Sequence, residues 1–112
     1  MGEINWRDNW DSALQEAQKE DRRILLELYM DGCPHCSRLH SETHADDQVV
    51  QAINEKYIPV KLEGRQNMDI VKKFNVTGAP TTLLFSPDGQ EQHRFAGYYS
   101  PSDYLEQLKK GG

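Results

Sequence analysis

Apolar residues recur along this chain with two periods, and the changes of period mark its elements. Over 8–21, Trp10, Ala13, Leu14 and Ala17 fall at i, i+3, i+4 and i+7, while Glu16, Lys19, Glu20 and Arg22 take the other side. That spacing predicts a helix with one apolar stripe, and Asp8 or Asn9 is placed to cap it. Residues 24–30 are a near-continuous apolar run of strand length, broken by Glu27. Such a run suits a strand buried on both faces at the centre of a sheet. Ile4 and Trp6 are compatible with a short edge strand before the first helix.

Residues 34–54 predict a helix interrupted near 41–47. Pro34 suits its first turn, Leu39, Val49, Val50 and Ile53 supply apolar contacts, and Asp46 or Asp47 can cap the restart. Over 57–62, Ile58, Val60 and Leu62 alternate with Pro59 and Lys61. Proline there points to a strand beginning or a sheet edge. Residues 67–74 predict a shorter helix, with Asn67 as cap and Ile70, Val71 and Phe74 as the apolar face. Strands are expected at 81–85 and 91–96, joined as a hairpin by the turn signal Ser86-Pro87-Asp88-Gly89. Ser100-Pro101-Ser102-Asp103 opens a last helix, which Tyr104, Leu105 and Leu108 pack onto the sheet. Strands separated by helices are parallel and the hairpin is antiparallel, so the expected fold is α/β. It has a mixed sheet of four strands, or five with the N-terminal segment, between helices on both faces.

Composition narrows the function. With 112 residues, 37% hydrophobic and 28% charged, the chain suits one globular domain. It has 13 basic and 18 acidic side chains, a formal net charge of −5 and no basic block, which argues against nucleic acid. No apolar run approaches the ~20 residues that span a bilayer. Residues 1–6 lack the apolar core of a signal peptide. A mature exported domain would look the same.

Both cysteines lie in Cys33-Pro34-His35-Cys36, at the junction of the apolar strand and a helix. Unpaired amides at a helix start favour a thiolate at Cys33. Cys36 is one turn on, close enough for a disulfide after modest tightening. A bridge closing so short a loop restrains the unfolded chain little, so a reversible dithiol couple is the better use. His35, between the sulfurs, can stabilise the Cys33 thiolate and make the disulfide more oxidising; a solvated His with little effect is the alternative. Glu27 either points to solvent at a sheet edge or is buried and needs a partner or a proton. Cys36, His40 and His44 recur every four residues, and with Cys33 they could bind zinc or copper(I) as a metal carrier. Solvent-facing histidines are the preferred reading.

Together these features resemble the thioredoxin superfamily over nearly the whole chain. The resemblance rests on the Cys33–Cys36 motif after a central strand, Glu27 six residues before it, and Lys61 in the next strand. It also rests on Val76-Thr77-Gly78-Ala79-Pro80-Thr81 and on Gly97 after the hairpin. It implies a thioredoxin fold and a thiol–disulfide oxidoreductase without bound cofactor, monomeric, exchanging with protein thiols and a redox partner protein. Cys33 would be the nucleophile and Cys36 the resolving thiol. Glu27 and Lys61 would form a buried pair that handles the Cys36 proton. Pro80 would be cis, holding the Ala79 backbone beside the sulfurs for an extended substrate, with Gly97 adjacent. Gly32 before Cys33, and Pro34-His35 between the cysteines, depart from thioredoxin proper. The Pro-His pair resembles Dsb-type oxidases, whereas 39–46 with Trp10 resembles small bacterial, often exported, thioredoxin-like domains and the C-terminal domain of the transmembrane disulfide reductase. An extracytoplasmic location follows from the family's habits, with a cytoplasmic one as the alternative.

Overall fold

The first helix starts where the sequence places a cap. The Asn9 side chain accepts the Ser12 amide at 2.9 Å, and α1 (Trp10–Glu20) buries Trp10, Ala13 and Ala17. The computed structural model describes residues 2–112; Met1, part of the stretch searched for a signal peptide, lies outside the described residues.

β1 (Arg23–Tyr29) is central because both of its edges are paired. It runs parallel to β2 (Tyr57–Glu63), with Leu26 opposite Val60. It runs antiparallel to β3 (Thr81–Phe85), with Leu26 opposite Leu83. β3 pairs antiparallel with β4 (Glu91–Ala96), giving a mixed four-stranded sheet of order β2-β1-β3-β4. Among the described residues a fifth strand does not form. The N-terminal segment contributes one bridge, in which the Arg7 amide donates to the Pro59 carbonyl and the Lys61 amide donates to the Arg7 carbonyl. Pro59 thus sits on an edge strand with its missing N–H facing outward, away from the ladder with β1.

Side chains alternate across the sheet. Ile24, Leu26 and Leu28 join Trp10, Ala13 and Ala17 of α1 and Ile70 of α4 (Met68–Lys73) on one face. Leu25 packs on the other face with Leu39, Val49, Ile53, Tyr104 and Leu108. Glu27 shares the parity of Leu25 and is directed to that second face.

The interrupted helix is resolved as α2 (Pro34–Arg38), a π-helical turn at Leu39–Thr43, and α3 (Asp47–Lys56). The His44 amide donates to the Leu39 carbonyl at 2.9 Å, which closes the wide turn and releases the chain. Asp46 caps the restart by accepting the Gln48 and Val49 amides at 3.0 and 3.2 Å. Ser100 caps α5 (Pro101–Lys110) through the Asp103 amide. Asn67 precedes α4 without capping it, because its amide nitrogen is engaged by the Glu63 carbonyl at 2.9 Å.

The caps and the core should differ in weight. Asp46→Ala is expected to cost about 1 kcal/mol. Leu26→Ala, at a fully buried position on the central strand, should cost about 2–5 kcal/mol. Urea unfolding followed by tryptophan fluorescence measures both.

Candidate functional site

The site lies at the C-terminal end of β1. Gly32 takes φ +77°, a left-handed conformation that favours glycine, where the chain turns from β1 into α2. Cys33 is the residue that caps α2. Its Sγ accepts the Cys36 amide at 3.3 Å and lies 3.8 Å from the Ala79 carbonyl oxygen. The cysteines are free thiols; Cys33 is half-buried and Cys36 buried. Burial and the hydrogen bond with Cys33 push the Cys36 thiol up to about 12.

The Ala79–Pro80 peptide is cis, and the Gly97 amide donates to the Pro80 carbonyl at 2.8 Å. Gly97 takes φ +96°. Ala79, Pro80 and Gly97 therefore form one connected rim, with Ala79 nearest the Cys33 sulfur. Pro34 and His35 are exposed on the first turn of α2, and the His35 ring makes no hydrogen bond among the described residues.

Beneath the dithiol is a cavity of about 150 Å³, lined by Glu27, Cys36, Lys61, His40, His44 and Pro80 among others. Glu27 is 1% exposed, which rules out the solvent-facing alternative. Its Oε1 accepts the Thr82 hydroxyl at 2.6 Å and the Tyr104 hydroxyl at 3.5 Å. Burial raises its carboxyl to about 8, against the lowering effects of Thr82, Lys61 and Tyr104.

Lys61 is not bonded to Glu27. The two are register partners on adjacent strands, but the ammonium donates to His40 Nδ1 at 2.8 Å and stands 5.1 Å from the Tyr29 ring. The expected buried ion pair is thus a neutralised acid beside a half-buried cation that acts on it through space. Burial lowers the Lys61 ammonium as well.

His44 departs furthest from expectation. It is buried rather than solvent-facing, because the chain leaves the helix there and folds the ring inward. The ring meets Trp6 at 5.1 Å and Tyr104 at 5.4 Å between centroids. Burial, reinforced by Lys61 and His40, depresses its imidazole to about 3. No cluster of three or more His, Cys, Asp or Glu side chains is arranged for a metal ion among the described residues. Thr82 and Tyr104 join the site from β3 and α5. Thr82 carries no sequence signal until the β1–β3 register sets it opposite Glu27, and Tyr104 was expected only as an apolar anchor.

Glu27 and His44 oppose each other in the pH dependence of stability. Native Glu27 holds a proton that the unfolded carboxyl releases near pH 4.5, so stability falls as pH rises from there to about 8. Native His44 lacks a proton that the unfolded ring binds below pH 6.5, so stability falls as pH drops from there to about 3. These two groups therefore give a plateau between their inner limits, with losses of up to roughly 1.4 kcal/mol per pH unit on either side. Glu27→Gln should abolish the alkaline loss and keep the acidic one, as read by urea unfolding between pH 4 and 9.

A family model described as a thioredoxin-like domain matches residues 10–112. The thiol:disulfide interchange protein DsbD of Campylobacter jejuni is 30% identical over 105 residues, covering 91% of this chain and 18% of that protein. The chain thus spans about one fifth of the curated relatives it matches. Among solved structures, a thioredoxin from Thermus thermophilus superposes with TM-score 0.86 at 20% identity, covering 99% of this chain and 92% of that one. The DsbD C-terminal domain of Neisseria meningitidis superposes with TM-score 0.79 at 21% identity, covering 91% and 92%. The superpositions establish the fold. The family match, running from α1 to the last residue, establishes membership: this chain belongs to the thioredoxin-like domain family.

Proposed function

We propose that the chain is a thiol–disulfide oxidoreductase in which Cys33 and Cys36 exchange a disulfide with protein substrates. The observation that carries this reading is the pairing of an accessible sulfur with a buried one above a protonatable acid. Cys33 Sγ is held by a backbone amide at the surface, Cys36 is buried behind it, and Glu27 lines the same cavity.

In the reducing direction, the Cys33 thiolate attacks a substrate disulfide. The Cys33–substrate bond forms and one substrate sulfur leaves as a thiolate, taking a proton from water. The Cys36 proton then passes to the Glu27 carboxylate, directly or through water filling the cavity. The Cys36 thiolate attacks Cys33 Sγ, the Cys33–Cys36 bond forms, and the second substrate thiolate departs. The oxidising direction reverses each step, and Glu27 returns the proton to the departing Cys36 sulfur. Because the Glu27 carboxyl titrates near 8, proton acceptance strengthens as pH rises through that value, and proton return weakens.

The rim supports an extended polypeptide as substrate. The Ala79 backbone lies beside Cys33, and a more apolar cavity of about 250 Å³, lined in part by Leu28, Met30, Met68 and Ala79, opens next to it. A backbone partner with an adjoining apolar pocket is the arrangement strand-adding recognition uses. The name shared by the matched relatives, thiol:disulfide interchange protein, supports a redox partner protein; an extracytoplasmic setting and a monomeric state are part of the same proposal. His35 is a minor influence on the couple, being exposed and unbonded.

Cys36→Ala should accumulate a mixed disulfide between Cys33 and a model peptide disulfide, seen by intact mass. Cys33→Ala should not. Glu27→Gln should slow resolution of that intermediate about 10²-fold near pH 8 and flatten its pH profile. His35→Ser should make the couple more reducing by no more than roughly 30 mV, as measured against glutathione. A wild-type protein that forms no Cys33–Cys36 disulfide with glutathione would overturn the reading.

A further inference from the structure

Three of the groups around Glu27 are not employed by the exchange reaction itself. Thr82 reaches it from β3, Tyr104 from α5 and His44 from the end of the π-helical turn. Lys61 on β2, Cys36 on α2 and His40 complete the ionisable and thiol surroundings. The hydrogen-bond directions among them can be read in one sense. The Thr82 hydroxyl donates to Glu27 Oε1 at 2.6 Å, and the Tyr104 hydroxyl donates to the same oxygen at 3.5 Å. With its proton so directed, the Tyr104 oxygen is an acceptor for His44 Nε2–H, 3.2 Å away. His44 Nδ1 is then the bare nitrogen, and it is a buried atom without a partner. Glu27 Oε2 is likewise buried and unpartnered. His44 Nε2 is 3.7 Å from Glu27 Oε1, beyond direct bonding, so the histidine acts through the tyrosine.

We propose that His44, Tyr104 and Thr82 are positioning residues that saturate Glu27 Oε1 with donors and thereby keep the exchangeable proton of the Cys36 reaction on Oε2. The proposal rests on the reading of Glu27 as the group that takes and returns the Cys36 proton. An oxygen with two donors directed at it is the poorer site for a further proton, so the free oxygen carries it. Both outer groups are in the state this requires. Burial holds the Tyr104 phenol well above its ordinary range and the His44 imidazole well below its own, so each keeps a single, directional proton at neutral pH. No covalent bond is made or broken in His44, Tyr104 or Thr82. In the resolving step the proton is exchanged between Cys36 Sγ and Glu27 Oε2, directly or through water, and the electrons move only among the three sulfurs.

Donors to Oε1 also favour the carboxylate. Thr82→Val is therefore expected to move the midpoint of the Glu27-dependent step upward by roughly one to two pH units. His44→Phe, which keeps an aromatic ring between Trp6 and Tyr104 but lacks the N–H, should move it in the same direction by less. Thr82→Ser and His44→Gln restore a donor and should return the midpoint toward that of the unsubstituted protein. The measurements are the pH profile of release from the Cys33 mixed disulfide, and the infrared carbonyl band of protonated Glu27, assigned by its loss in Glu27→Gln. The band should shift to higher frequency in Thr82→Val and His44→Phe as its oxygen loses donors. Lowered thermal stability with midpoint and band unchanged would reduce the three residues to packing and overturn the proposal. A profile that stays unchanged in Glu27→Gln would overturn the underlying reading of Glu27 instead, and the band comparison would still report on the donors.

Discussion

A carboxyl group buried in the central strand constrains much of the rest of this molecule. Glu27 is placed among apolar residues where an ionised form is costly, and the strand around it cannot turn it outward without exposing Leu26 and Leu28 on the opposite parity. The neighbouring elements answer this in three ways. β3 supplies a hydroxyl in register, α5 supplies a phenol from above, and the end of the π-helical turn supplies an imidazole behind the phenol. Lys61 lies across the parallel ladder, yet its ammonium is turned to His40. The acid is thus maintained mainly by neutral donors. Burial outweighs those donors, so its carboxyl titrates within reach of physiological pH instead of remaining permanently ionised.

The dithiol above it is organised by the same end of β1. A left-handed glycine turns the chain, Cys33 becomes the cap of α2, and the Cys36 amide is left pointing at its sulfur. The two thiols differ through surroundings alone. One meets an amide and the Ala79 carbonyl, while the other meets the cavity wall. The chemical asymmetry that an exchange reaction needs therefore arises from where a helix begins.

Much of this was legible in the sequence, because it depends on local patterns. The periodicities of 24–30 and 57–62 gave two parallel strands, and Asn9, Asp46 and Ser100 all cap as their residue types suggest. The motif spacing and the Gly78-Ala79-Pro80 loop located the sulfurs and their rim. What escaped depends on distant register and on departures from regular helix geometry. Thr82 matters because five paired positions align it with Glu27. Tyr104 was visible as an apolar body but not as a hydroxyl. His44 was expected to face solvent, whereas the wide turn carries it inward against Trp6. Lys61 was on the expected strand, but strand register fixes only its backbone, and its long stem lets the ammonium choose another partner.

Arg7 and Pro59 have a consequence beyond the local geometry of β2. An open sheet offers rows of unpaired donors and acceptors to any passing chain. At β2 that row is interrupted by a proline and occupied by a single bridge from the N-terminal segment. At the opposite border, the Glu91–Arg94 ion pair puts charge along β4, and the pairing with β3 is irregular at Leu84 and Phe85. Both borders are therefore poor templates for self-association. In the proposed chemistry an extended polypeptide would then pair best at the Ala79 backbone, so the features that discourage aggregation would also direct clients to the sulfur.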